Sequence, residues 1–384
     1  MIIAVDEDLP YHDEALSQLG SLRPFPGRNL KPGDLQGVDA LVVRTITPVN
    51  ASLLSGTSVR CVAAASAGTD HVDQSFLKSR GIHFGYAAGS NANSVSEYIL
   101  TALHIVASRK GWDLSRKSLA VIGVGNVGCR VARKARALGM DVLLCDPPLR
   151  DLTGDPRYQL LDDVLGADIL TFHVPLTSEG PYPTYHMLGR EVLGRLKPGQ
   201  FILNSSRGKV VDSYELKKAL EGQKVSGAVL DVWEQEPEVD YSLLDLLEIG
   251  TPHIAGTSLD AKIRATEMIR EELSRFWGIP SSPLPDSIYP VTGILHPEDG
   301  SAGQAAVLSV LLQAFEILKK DEKLRDLGSL PAERAACDFD RLRVEPPLRL
   351  EFQHFVVGLS ARNADLEPAF QALGFAIKKE WSQT

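Results

Sequence analysis

Three side chains in the middle of the chain have the chemistry to move a proton beside an anionic substrate. His253 lies in Thr251-Pro252-His253-Ile254-Ala255-Gly256, Glu236 in Leu230-Asp231-Val232-Trp233-Glu234-Gln235-Glu236-Pro237, and Arg207 in Asn204-Ser205-Ser206-Arg207-Gly208-Lys209-Val210-Val211-Asp212. An imidazole takes up a proton near neutral pH. A carboxylate beside it orients the ring and stabilises its charged form. A guanidinium fork holds a carboxylate through two parallel bonds. Together these groups meet the needs of oxidising a 2-hydroxy acid: a base for the hydroxyl proton, a partner for the base, and a cation for the acid group. Taken singly, each has a plainer explanation. A histidine before a strand is usually structural, a glutamate before proline is usually solvated, and an arginine after two serines pairs locally.

A fourth motif is a binding motif. Leu119-Ala120-Val121-Ile122-Gly123-Val124-Gly125-Asn126-Val127-Gly128 reads as a strand, a glycine turn and a helix start. Gly123 allows the tight turn, Gly125 lets the backbone approach a pyrophosphate, and Gly128 lets the helix pack close to the strand. Asn126 and Val127 lead into the helix, whose free N–H groups and positive dipole end suit phosphates. Asp146 ends the next apolar run, about twenty residues on, where a carboxylate accepts bonds from a ribose and repels a 2′-phosphate. That favours NAD over NADP.

These residues need a scaffold that puts them on one edge. Strand-like runs occur at Ile2–Val5, Ala40–Val43, Val59–Ala63, Leu119–Val124, Asp141–Cys145, Asp168–His173, Phe201–Leu203 and Gly227–Leu230. Most are continuous in Val, Ile, Leu and Ala, as parallel strands covered on both faces should be. Helical patterns such as Val127–Leu138 and Ser213–Leu220 alternate with them, the mark of βαβ units. The expected fold is α/β: two doubly wound, Rossmann-like parallel sheets with a cleft between them, plus a smaller C-terminal α+β module. The motifs above then fall at the carboxyl ends of parallel strands, where such folds bind ligands. Two long helix patterns, Ser94–Ser108 (with Ser94 and Ser96 as possible N-caps) and Ser258–Phe276, read as crossovers. The expected division is 1–93 with 257–285 for substrate, 94–256 for NAD, and 286–384 for dimerisation. The last region follows a Pro/Ser linker and carries a helix pattern at Ala302–Lys320 and a strand-like run at Leu348–Leu359. Its apolar segments have no evident partner within the chain, which predicts a homodimer.

Composition narrows the class. The 384 residues are 44% hydrophobic and 23% charged, with a formal net charge of −9. That balance fits a globular protein and argues against a nucleic-acid partner. No apolar run is long enough for a membrane span, and the short Met1–Val5 run does not resemble a secretory leader, so a cytoplasmic protein is expected. Cys61, Cys129, Cys145 and Cys337 show no metal-ligand spacing. Buried thiols are expected, rather than disulfides or metal ligands.

The glycine turn, NSSRGKVVD, LDVWEQEP and TPHIAG, in that order, resemble the D-isomer-specific 2-hydroxyacid dehydrogenases over about residues 1–280. Val5-Asp6-Glu7, Val43–Asn50, Ala67–Asp73 and Cys145–Pro148 are similar to a branch of that family whose substrate carries a phosphate. The resemblance implies roles residue by residue. Arg207 binds the substrate carboxylate, His253 is the acid/base, and Glu236 rather than Glu234 is its carboxylate partner. Asp146 binds the NAD ribose. Val174, Ser205, Ser206, Arg207, Asp231 and Gly256 contact the cofactor. Thr45, Ser66 and Thr257 contact substrate, and Arg44 is the candidate for its phosphate. Thr257 departs from the tyrosine expected there, and Val174 from a threonine. Two alternatives stay open: another 2-hydroxyacid dehydrogenase, of the D-3-phosphoglycerate or glyoxylate/hydroxypyruvate type, and an NAD-sensing scaffold or corepressor on the same fold.

Overall fold

A computed structural model describes residues 1–380. They form two compact units. The first is Met1–Asn91 with Ser258–Pro290, and the second is Ala92–Thr257 with the chain from Val291 onward.

The first unit is built on a five-stranded parallel sheet of β1 (Ile2–Asp6), β2 (Ser21–Phe25), β3 (Ala40–Val43), β4 (Cys61–Ala64) and β5 (His83–Tyr86), in the order β2-β1-β3-β4-β5. β3 and β4 are wholly buried. One face packs against the amphipathic helix Leu259–Trp277 through Ile3, Val5, Cys61, Ile269 and Leu273. Ser258 starts this helix by accepting the Ala261 N–H at 2.9 Å, and Gly278 ends it in a left-handed conformation, both standard stop and start devices.

The second unit contains β6 (Ser118–Ile122), β7 (Asp141–Cys145), β8 (Tyr158–Gln159), β9 (Ile169–Phe172), β10 (Phe201–Asn204), β11 (Gly227–Leu230) and β12 (Ile249–Gly250). They form a parallel sheet ordered β12-β11-β10-β9-β6-β7-β8. The order reverses between β9 and β6. The strands expected from sequence are the central ones. All four edge strands of the two large sheets, β2, β5, β8 and β12, were not legible. β2 carries Arg23 and Pro24, and proline is tolerated only at an edge. β8 and β12 have two residues each.

The helix Ala92–Lys110 is buried along most of its length. It begins before Ser94 and Ser96, so neither is a cap. Ser94 donates instead to Glu351 at 2.6 Å and Ser96 to the Asn93 carbonyl at 2.7 Å. The pattern at Ala302–Lys320 is two helices, Gly303–Ala314 and Ile317–Asp326. They break at Phe315, which is buried against Tyr98 and under the Arg349 guanidinium. Of the run Leu348–Leu359, only Val356–Leu359 is a strand. This is β14, and it lies between β13 (Ile294–Leu295) and β15 (Ala376–Lys379) in a small parallel sheet. Most apolar residues of this region have partners in the chain: Ala306, Val310, Leu311, Phe352 and Phe370 share a core with Leu100, Leu103 and Val131. Val291, Ile294, Leu330 and Val344 stay exposed, and the argument for a homodimer rests on these alone. Cys61 and Cys145 are buried, but Cys129 and Cys337 are exposed and all four are free. Cys129 sits on the outward side of the glycine-turn helix, where a glycine-rich neighbourhood does not mean burial.

Candidate active site

In the second unit every candidate residue follows the carboxyl end of a parallel strand. Gly123 follows β6, Asp146 β7, Val174 β9, Arg207 β10, Asp231 β11 and His253 β12. The strand order therefore converts motifs far apart in sequence into one row.

The glycine turn behaves as its spacing predicts. Gly123 has φ 87°, and a Cβ there would lie 2.5 Å from the His173 carbonyl oxygen. A Cβ at Gly128 would lie 1.9 Å from the Gly123 carbonyl oxygen. At Gly125 a Cβ would meet no protein atom within 4 Å, so the protein's own packing does not require that glycine. The helix Gly128–Ala137 starts without a side-chain cap; its Cys129 and Arg130 N–H groups bond the Gly125 and Val127 carbonyls at 3.1 and 2.9 Å, so what it offers a phosphate is the positive end of its dipole and the N–H groups of the turn before it. Two further polar atoms at neighbouring strand ends are buried without a hydrogen bond among the described residues: Ser205 Oγ and His173 Nδ1. Burial pushes His173 down to about 3, so its ring is neutral. An open cradle, an uncapped helix and unspent polar atoms fit a dinucleotide. Asn126 and Val127 shape the turn; the Asn126 carbonyl accepts Arg130 Nη1 at 2.6 Å. Asp146 accepts the Val124 N–H at 2.8 Å and the Leu149 N–H at 3.0 Å, one on each oxygen. Each oxygen keeps a second lone pair for a ribose hydroxyl.

Beyond β10, Asn204 organises the Arg207 loop. Its Oδ1 accepts the Ser206 N–H at 3.0 Å and hydroxyl at 2.8 Å, and its Nδ2 donates to the Arg207 carbonyl at 2.9 Å. The half-buried Arg207 guanidinium donates to the Ser206 carbonyl at 2.8 Å. Gly208 sits so close to the next loop that a Cβ would lie 1.9 Å from the Trp233 oxygen.

His253 Nδ1 lies 2.7 Å from Glu236 Oε2, and Glu236 Oε1 accepts the Trp233 N–H at 2.8 Å. Burial pushes the Glu236 carboxyl up, but the bond and charge of His253 outweigh it and hold the group below the usual range. The Trp233 N–H and the positive charge of Arg343 add to this. Arg343, on the helix Ala332–Val344, is a contributor that no motif indicated. His253 has φ 55°, a strained region for a non-glycine residue. Asp231 holds that conformation. Fully buried, it accepts Thr251 Oγ1 at 2.6 Å, the Ile254 N–H at 2.7 Å and the Ala255 N–H at 2.9 Å. Burial pushes it up to about 6. Its side chain is thus spent on the His253 loop. Gly256 and Thr257 complete that turn, with the Thr257 N–H on the Ile254 carbonyl at 2.8 Å. Val174 is half-buried beside Gly123.

The first unit brings together a different set. Arg44 follows β3 and Asp6 ends the neighbouring β1, at the point where the strand order reverses. Arg44 Nε lies 2.9 Å from Asp6 Oδ1 and its Nη2 lies 2.6 Å from the exposed Asp8. Thr45 is exposed. Ser66, after β4, is nearly buried and donates to the Gly68 carbonyl at 2.7 Å. Burial and the charge of Arg44 push Lys262 down from the usual lysine value. It is a cation beside Arg44 that no motif indicated.

The family model for the NAD-binding domain of D-isomer-specific 2-hydroxyacid dehydrogenases matches residues 100–255. The chain belongs to the D-isomer-specific 2-hydroxyacid dehydrogenases, and its cofactor is NAD. Along nearly its whole length it is similar to proteins named erythronate-4-phosphate dehydrogenase. The one from Yersinia enterocolitica is 41% identical, over 98% of this chain and all of that one. The one from Escherichia coli O127:H6 is 42% identical, over 89% of this chain and 90% of that one. Among solved structures, D-lactate dehydrogenase from Aquifex aeolicus complexed with NAD and lactic acid is 30% identical. It covers 72% of this chain and 96% of its own, with a TM-score of 0.60. Among the described residues no helix is long and apolar enough to cross a membrane.

Proposed function

We propose that this enzyme oxidises 4-phospho-D-erythronate at C2 with NAD, giving 2-oxo-3-hydroxy-4-phosphobutanoate and NADH, in the formation of pyridoxal 5′-phosphate. The observation that carries the chemistry is the 2.7 Å His253–Glu236 pair on the strand edge that also bears Arg207. The names of the relatives carry the substrate.

Glu236 accepts the Nδ1 hydrogen of His253. That leaves Nε2 as the basic nitrogen, free to take the proton from the C2 hydroxyl. As the ring becomes charged, the ionised Glu236 stabilises it. Arg207 pairs with the substrate carboxylate and fixes C2. NAD, when bound, supplies the hydride acceptor; the turn at Gly125, the positive end of the helix Gly128–Ala137 and Asp146 would hold it. Ser205, Ser206, Val174, Asp231 and Gly256 border the nicotinamide end through side chain or backbone. Thr45, Ser66 and Thr257 contact substrate. Arg44, with Lys262 beside it, takes the phosphate, and Asp6 lies beside Arg44 as an ion-pair partner. Residues 1–93 with 257–285 serve substrate, 94–256 serve NAD, and 286–384 serve dimerisation in a cytoplasmic homodimer.

The test is product identification. Incubation with 4-phospho-D-erythronate and NAD should yield one NADH per 2-oxo acid, and the His253→Ala variant should lose this turnover. Equal turnover in that variant would refute the proton-transfer role.

A further inference from the structure

The glutamate that the proton-transfer scheme leaves unused is tied as firmly as the one it uses. Glu234 Oε1 lies 2.7 Å from His186 Nε2, and Glu234 Oε2 accepts the Ser213 N–H at 3.1 Å. On the other side of the ring, His186 Nδ1 faces Asp212 Oδ2 at 3.5 Å. Each ring nitrogen of His186 thus faces a carboxylate. The Tyr185 ring stacks on it at 4.1 Å, and the His186 N–H donates to the Lys209 carbonyl at 2.8 Å. His186 has φ 49°, so its own backbone is strained to hold this position.

These ties join the two segments that carry the reacting-site side chains. Lys209 and Asp212 lie just after Arg207, and Glu234 lies two residues before Glu236. The segments touch at Gly208, where a Cβ would lie 2.6 Å from the Glu234 nitrogen. The Trp233 N–H, one residue away, holds Glu236 Oε1. A shift of Glu234 is therefore transmitted both to Arg207 and to Glu236.

We propose that His186 and Glu234 are positioning residues: their pair locks the Arg207 segment to the Glu236 segment and so aligns Arg207 with the His253–Glu236 pair. This rests on the dehydrogenase chemistry above and gives the first glutamate of Glu234-Gln235-Glu236 its own task. Neither residue touches the reacting atoms.

The experiment compares the wild-type enzyme with His186→Gln, Glu234→Gln and the double variant. It uses the 2-hydroxy acid that the wild type turns over fastest, so an error in the substrate assignment leaves the outcome unchanged. In each single variant kcat should fall roughly tenfold to a hundredfold, the size expected of a small misalignment, while the dissociation constant for NADH and the thermal midpoint stay near wild type. The kinetic isotope effect with substrate deuterated at C2 should rise. The double variant should lose no more than the worse single one. Unchanged kcat and isotope effect in both single variants would overturn the proposal. So would losses that multiply in the double variant, or a loss confined to NADH affinity or thermal stability.

Discussion

Glu236 and Asp231 divide the work around His253: one holds its ring and the other its backbone. Glu236 is held below the ordinary carboxylate range in the folded protein. Its contribution to stability is present above the unfolded value of about 4.3 and is lost as pH falls through the lower folded value. Urea midpoints should thus separate wild type from Glu236→Gln at neutral pH and converge in acid. A gap that stays constant across that range would contradict the assignment. Asp231 works in the opposite sense. Its folded value of about 6 means its contribution is complete in acid and lost as pH rises through 6. That His253, Glu236 and Arg207 fall on one strand edge was legible from residue type and motif order. Asn204 and Asp231 as loop organisers were not, because their partners are backbone N–H and C=O groups that no motif displays. Arg44 was legible as a cation near the substrate end, but its pairing with Asp6 and Asp8 depends on which strands become neighbours.

At the scale of elements, the glycine turn makes a contrast that can be measured. Gly128→Ala drives a methyl group into the Gly123 carbonyl and should cost about 1–3 kcal/mol of stability, as overpacking does. Gly125→Ala meets no protein atom. It should leave the thermal midpoint unchanged and weaken NADH binding, which fluorescence titration would show. The reverse pattern would mean that the turn does not serve a dinucleotide. The neighbouring helix Ala92–Lys110 anchors the C-terminal region, and Lys134 of the glycine-turn helix joins the same cluster. Arg349 donates to Glu97 at 2.7 Å, Asn93 donates to Glu351 at 2.8 Å, and Lys134 donates to Asn93 at 3.0 Å. Burial pushes Lys134 down to about 8 and Glu97 up, the latter against the pull of Arg349 and Lys134. Arg349→Met leaves the fully buried Glu97 short of its main cation and should cost about 3–5 kcal/mol in urea unfolding; a cost below about 1 kcal/mol, typical of exposed pairs, would contradict this. The central strands were legible because both faces are apolar. The edge strands were not, since an edge is defined by its one neighbour and carries no continuous apolar run. The third sheet repeats the rule, with β14 inside a recognisable run and its two neighbours missed.

At the scale of the whole molecule, each unit carries its own share of the function. The second bears the glycine turn, the His253–Glu236 pair proposed for proton transfer and Arg207, proposed to bind the substrate carboxylate. The first bears Arg44 and Lys262, the candidates for a phosphate. The C-terminal region is not a separate body but part of the second unit. The sequence suggested independence because the Pro/Ser linker and the change of texture hide the core it shares with Ala92–Lys110. Sedimentation as a monomer at micromolar concentration would contradict the proposed homodimer. The substrate proposed is a phosphorylated four-carbon 2-hydroxy acid, oxidised with NAD. The deciding measurement is kcat/KM for 4-phospho-D-erythronate, D-erythronate and 3-phospho-D-glycerate, each with NAD. A clear preference for 4-phospho-D-erythronate over both others is expected, with the advantage over D-erythronate shrinking in Arg44→Met and Lys262→Met. Equal rates with and without the phosphate, or a preference for 3-phospho-D-glycerate, would contradict it.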